Sequence, residues 1–133
     1  LREYIQYVKN KFNICDKKVE NEMLIIERKN DRKFDKLDKI INTIPNNINY
    51  KIVILEDLSL REQIKLFSSN NIFLFRHGSC LINLLWIPKN SIVYDLDHQD
   101  NRQNIVKRIC MLTNSTHHYL KYSSEFIFTS LTI

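Results

Sequence analysis

Three short clusters in this sequence hold side chains that could do chemistry: Arg28 with Arg32, the run Arg76-His77-Gly78-Ser79, and Asp95-Leu96-Asp97-His98. Two arginines four apart suit a phosphate or pyrophosphate, because each planar guanidinium offers paired N–H donors to two oxygens. The bland alternative is a surface pair salting against Asp31 and Asp35. Gly78 is the only glycine of the chain, and a residue without Cβ permits a positive φ or close approach of a ligand to the backbone. His77 adds a donor or a base, since an unperturbed imidazole titrates near pH 6.5. Ser79 can cap a following helix, whose unpaired N–H groups would then face an anion. A plain strand-to-helix turn would carry the same residues. Asp95-Leu96-Asp97 has a spacing by which carboxylates hold magnesium or manganese, but any strand ending in an acidic turn produces it. A divalent metal is therefore not favoured, and His98 settles nothing.

These clusters need a scaffold, and the length of 133 residues provides one domain with a core that needs neither disulfides nor metal. A hydrophobic share of 44% excludes a disordered tail. No apolar run reaches the roughly 20 residues that span a bilayer. With one glycine and no alanine, the chain has neither a GxGxxG dinucleotide loop nor a Walker A loop. The net charge of +5 would suit nucleic acid, but the lysines are scattered among carboxylates and no basic stripe carries aromatics. Nucleic acid is not expected as a partner. The three cysteines, Cys15, Cys80 and Cys110, are odd in number and far apart, which argues against a disulfide framework or a zinc ribbon. Cys80 and Cys110 read as small buried hydrophobes, which leans toward a reducing compartment. The chain opens at Leu1, without an initiator Met, directly into an amphipathic spacing of Tyr4, Ile5, Val8 and Phe12. That opening reads as a piece of a longer protein, with residues 1–15 as a linking helix.

Apolar runs without in-out alternation lie at Met23–Ile26, Lys51–Leu55, Ile72–Phe75 and Ile92–Tyr94, with a fifth strand expected at Tyr119–Tyr122. Between them, Phe34, Leu37, Ile40, Ile41 and Ile44 mark a helix stopped by Pro45. Ser59-Leu60-Arg61-Glu62 is a capping box in front of Ile64 and Phe67. A short helix is expected from Ser79 to Trp86, and another at Ile105–Leu112. His117 and His118 read as a half-buried sheet edge and not as a ligand pair. The alternation predicts a doubly wound α/β domain over residues 1–133, with a parallel sheet covered by helices on both faces. In such sheets ligands bind beyond the carboxyl ends of the strands where the strand order reverses. With a strand order of 2-1-3-4-5, the arginines and the His-Gly-Ser turn face one crevice.

Residues 20–122 resemble glycosyltransferase family 61 in order and spacing. The resemblance rests on Leu24-Ile25-Ile26-Glu27-Arg28 through Arg32, on Leu55-Glu56 with Glu62-Gln63-Ile64, and on His77-Gly78-Ser79-Cys80-Leu81-Ile82-Asn83 in place of H-G-A-G-L-T-N. Trp86-Ile87-Pro88, Ile92-Val93-Tyr94-Asp95 and His118-Tyr119 continue it. Where the family has a second glycine this chain has Cys80, its threonine is Ile82, its glutamate is Asp95 and its asparagine is Lys36.

The resemblance implies a Rossmann-like half of a glycosyltransferase B fold that holds a nucleotide-diphosphate sugar, with an acceptor-side domain upstream. It implies an inverting transfer to a hydroxyl of a glycan or glycoprotein, without cofactor or metal. Arg28, Arg32, Gly78, Ser79, Asn83 and Asp95 would hold the donor, Asp95 on its ribose or base. His77 would serve as catalytic base or touch the diphosphate. The alternative is an inactive relative that acts as a nucleotide-binding or structural module, for which Cys80 speaks. The compartment stays open: cytoplasm or membrane surface for a bacterial or viral protein, secretory lumen for a eukaryotic one.

Overall fold

The computed structural model describes residues 1–14, 19–29, 34, 37–78, 80–97 and 104–121. Arg32, Ser79, His98 and Lys36 lie outside the described residues. Among the described residues five strands, β1 (Val19–Glu27), β2 (Asn49–Ile54), β3 (Asn70–Arg76), β4 (Ile92–Asp97) and β5 (Thr116–Lys121), form one sheet in the order β2-β1-β3-β4-β5. All four pairings are parallel. The chain is an α/β protein with a Rossmann-like sheet, and the strand order reverses between β1 and β3.

The apolar runs are continuous because both faces of the central strands are covered. Leu24, Ile26, Phe73, Phe75 and Val93 point to one face, where they meet Ile64 and Phe67 of α3 (Leu60–Ser69) and Val106 and Cys110 of α4 (Asn104–Leu112). Ile5 and Val8 of α1 (Arg2–Lys11) close the same cluster. Phe67 stacks on Phe73 with ring centroids 5.3 Å apart. Met23, Ile25, Ile72, Leu74 and Leu96 point to the other face, against Ile40 of α2 (Leu37–Asn42) and against Phe34, Ile44 and Ile48. Each such side chain contributes roughly 1.5–3 kcal/mol of transfer free energy.

Three expectations are corrected. β2 is a sheet edge and not a buried strand: Asn49–Ile52 are exposed and burial begins at Val53. An edge strand has a partner on one side only, and an apolar run does not reveal which side is missing. α2 is shorter than the apolar spacing suggests. The backbone leaves it at Thr43, whose N–H and hydroxyl both donate to the Ile40 carbonyl, while Phe34 and Ile44 pack from outside it. The helix expected from Ser79 to Trp86 is a five-residue 3-10 turn, Ile82–Trp86, so it offers no α-helical dipole to an anion. Its bonds are of the i to i−3 kind, Asn83 N–H to the Cys80 carbonyl and Leu84 N–H to the Leu81 carbonyl.

The capping box forms as expected, with Glu62 N–H donating to Ser59 Oγ and Ser59 N–H to Glu62 Oε1. Asparagine takes over the left-handed turns that glycine usually fills. Asn13 and Asn114 have φ of 55° and 50° just beyond α1 and α4, and Asn90 has 64°.

Candidate functional site

The carboxyl end of β1 is organised by Glu27, whose Oε1 accepts the N–H groups of Arg28 and Phe34, both at 3.0 Å. That places Arg28 beside the 3-10 turn Leu55–Asp57 that follows β2. Arg28 Nε lies 3.4 Å from Glu56 Oε1, an ion pair without a hydrogen bond, so this buried donor stays unmatched. Glu56 Oε2 accepts the Lys29 N–H at 2.9 Å, and the Lys29 ammonium pairs with Asp57. The Lys29 N–H, with smaller help from the charges of Arg28 and Lys29, holds the Glu56 carboxyl below its usual range. The Asp57 carboxylate, chiefly through its hydrogen bond, raises the Lys29 ammonium.

Across from this wall stands the turn that follows β3. Gly78 has a φ of 89°, in the region that glycine occupies without strain and other residues do not. After it, Asn83 Nδ2 donates to Gln63 Oε1 at 2.9 Å. Gln63 Nε2 in turn donates to the carbonyls of Leu55 and Leu58, both at 3.1 Å. This relay ties the turn after β3 to the turn after β2. Between the two walls lies a cleft of about 560 Å³, lined by Arg28, Glu56, Gln63, Gly78, Leu81 and Asn83 among others. Its volume falls in the range of small-molecule sites. Leu60 and Ile82, 59% and 72% exposed, give it an apolar lip.

On the other flank of β3 the chemistry turns inward. His77 Nδ1 sits 3.0 Å from both carboxylate oxygens of Asp95, and His117 Nε2 sits 3.2 Å from Asp95 Oδ2. The Tyr119 hydroxyl donates to Asp97 Oδ2 at 2.6 Å. Asp95 is 0% exposed and Asp97 2%. Asp95 therefore stands apart from the cleft in which its resemblance-based role would put it. Its carboxylate is buried and faces two imidazoles. The carboxylates of Asp95 and Asp97 are both engaged with side chains, and no group of His, Cys, Asp and Glu among the described residues could hold a metal. Burial, and then the charge of Asp95, pushes the Cys80 thiol well up and the Cys110 thiol to about 12. Neither is a nucleophile at ordinary pH.

Of the expected site residues, the structure brings Arg28, Gly78 and Asn83 to one cleft. It sets His77 and Asp95 against each other on the far side of β3. Arg32 and Ser79 lie outside the described residues. Sequence reasoning passed over Gln63 as a brace and His117 and Tyr119 as partners of the acidic pair. A signal did exist: Asp-x-Asp and His-x-Tyr both keep period two, so on neighbouring strands they fall on one face.

No helix among the described residues is long and apolar enough to cross a membrane. No curated protein matches the chain. The family model described as Glycosyltransferase 61 matches residues 1–94, a span that takes in Arg28, Gly78 and Asn83 and ends one residue before Asp95.

Proposed function

The chain belongs to glycosyltransferase family 61, and from that premise we propose that the cleft between the ends of β1 and β3 holds the diphosphate of a nucleotide-sugar donor. One observation carries the reading. The strand order reverses between β1 and β3, and the cleft found there has a cation with an unmatched Nε on one wall and the positive-φ Gly78 turn on the other. Reversal points of this kind are where open parallel sheets take ligands.

In this reading the chain is the donor half of an inverting glycosyltransferase, and a second half upstream presents the acceptor hydroxyl of a glycan or glycoprotein. The acceptor oxygen attacks the anomeric carbon, and the bond from that carbon to the diphosphate breaks with its electron pair going to the phosphate oxygen. Arg28 exchanges part of its pairing with Glu56 for the charge that develops there. Gly78, without Cβ, lets the main chain approach the phosphates. The acceptor's proton goes to His77, which lies outside the lining of the diphosphate cleft but heads the Gly78 turn that forms one of its walls, so that the acceptor would enter from the β4 side. A second reading, an inactive relative that binds nucleotide or serves as a structural module, is favoured by one observation: Glu56 already partly neutralises Arg28.

Calorimetric titration of the chain with a panel of nucleoside diphosphates, their sugars and the bare nucleosides tests the proposal. At least one diphosphate is expected to bind while its nucleoside does not. A chain that binds none of them, or binds nucleoside as tightly as diphosphate, would overturn it. Transfer to an acceptor by the complete protein separates the first reading from the second.

A further inference from the structure

Asp95 and His117 are used by nothing in the donor cleft, and both lie past the matched residues 1–94. A carboxylate that is 0% exposed needs hydrogen-bond donors on its oxygens. Among the described residues the groups in reach are His77 Nδ1 at 3.0 Å and His117 Nε2 at 3.2 Å. An ionised carboxylate only accepts, so each of these nitrogens has to present a hydrogen. The two rings meet it through opposite nitrogens and so take opposite tautomers.

The surroundings leave His77 little freedom to turn. Its backbone N–H donates to the Leu96 carbonyl at 2.7 Å. The Tyr119 ring stands edge-on to it, with centroids 6.1 Å apart at 87°, and Tyr119 is itself pinned by its hydroxyl on Asp97. His77 is 11% exposed through its side chain, and its Nε2 makes no hydrogen bond among the described residues.

We infer that Asp95 and His117 are positioning residues that hold His77 as its Nδ1–H tautomer, so that Nε2, with its lone pair free, is the nitrogen offered to the substrate. The inference rests on the reading of His77 as the proton acceptor of the transfer. It adds which atom acts and what fixes it: the acceptor's proton goes to Nε2, while the Nδ1 hydrogen stays on its bond to Asp95. The arrangement follows the logic by which a buried carboxylate orients a histidine base in hydrolytic triads, without a serine.

Long-range proton–nitrogen correlation spectra of the uniformly nitrogen-15-labelled chain, recorded at increasing pH until the imidazole signals stop moving, read the tautomers without any ligand. His77 is expected with a proton on Nδ1 and a bare Nε2, and His117 with the reverse. Asp95→Ala, which removes the acceptor altogether, is expected to release His77 from the Nδ1–H form toward the Nε2–H form that a free imidazole prefers. His117→Gln keeps a donor on Asp95 and is expected to leave the His77 pattern as in the parent. A parent spectrum with the proton on His77 Nε2 would overturn the inference even if no variant folds, and so would an Asp95→Ala spectrum unchanged at His77. The uridine, guanosine, adenosine and cytidine diphosphates, added in turn to the parent sample, test the cleft separately: failure to bind any of them would indict the donor reading while leaving the tautomer result standing.

Discussion

Arg28 and Asp95 both stand near the carboxyl ends of strands that flank β3, yet their charges are handled in opposite ways. Arg28 and Glu56 are 28% and 30% exposed through their side chains and meet at 3.4 Å without a hydrogen bond. A pair so open to water is screened and contributes little, so a phosphate can displace Glu56 at little cost. Asp95 is 0% exposed and has His77 and His117 on its oxygens. A charge in that position cannot give up its partners without leaving polar groups stranded. The sheet thus has one flank where charge is left loosely paired and free to take a ligand. On the other flank charge is locked and serves to hold geometry.

The sharpest way to break this comparison is to delete both charges and compare stabilities. Asp95→Ala strands two buried imidazole donors, each costing about 1–3 kcal/mol, so a loss of about 3 kcal/mol is expected in denaturant unfolding. Arg28→Ala should stay within about 0.5 kcal/mol of the parent, the usual range for a surface substitution. Similar losses for the two variants would erase the distinction. The order reverses for ligand: Arg28→Ala is expected to weaken nucleoside diphosphate binding by about 1.5–3 kcal/mol, the range of a charge-assisted contact. Calorimetry that returns equal affinities would show that the open pair is not a ligand site.

Much of the open flank was legible in the residues themselves. A glycine that is unique in the chain, set between an apolar run and the next element, announces a turn with a special φ, and Gly78 has one. Arg28 directly follows a run buried on both faces, which places it at a strand end. The locked flank was not legible in the same way. Asp95 meets His117, 22 positions on, only because β4 and β5 pair in parallel with Asp95 opposite Tyr119, and such a register is a property of the assembled sheet. The same limit hid the exposure of β2, since Asn49–Ile54 reads like its buried neighbour β1 and differs from it only in lacking a second partner.

Smaller effects sharpen the contrast. Gly78→Ala should lower the stability of the empty chain by about 1–2 kcal/mol, the cost of Cβ at a positive φ, and should also weaken nucleotide binding if the main chain approaches the phosphates. A variant that melts like the parent would mean the turn relaxes to an ordinary φ. The least effect is expected at His118, which stacks on Tyr94 at 5.0 Å. Burial, and then the neighbouring His117, lowers its pKa below 6.5. Between that lowered value and 6.5 the unfolded chain binds more protons than the folded one, so stability falls as pH falls through this window and is unaffected by this group above it. Unfolding midpoints at a series of pH values should show that slope, flattened in His118→Gln; a slope unchanged by the substitution would assign it to other groups.

The central claim, that the cleft at the strand-order reversal takes the donor's diphosphate, is tested most directly by following backbone amide resonances while a nucleoside diphosphate is titrated into the labelled chain. The largest shifts are predicted at Arg28, Lys29, Glu56, Gly78 and Leu81, with Arg2, Lys89 and Thr113, which line a separate cavity at the opposite end of the strands, left unmoved. Shifts concentrated at Arg2, Lys89 and Thr113, with Arg28 and Gly78 silent, would contradict it.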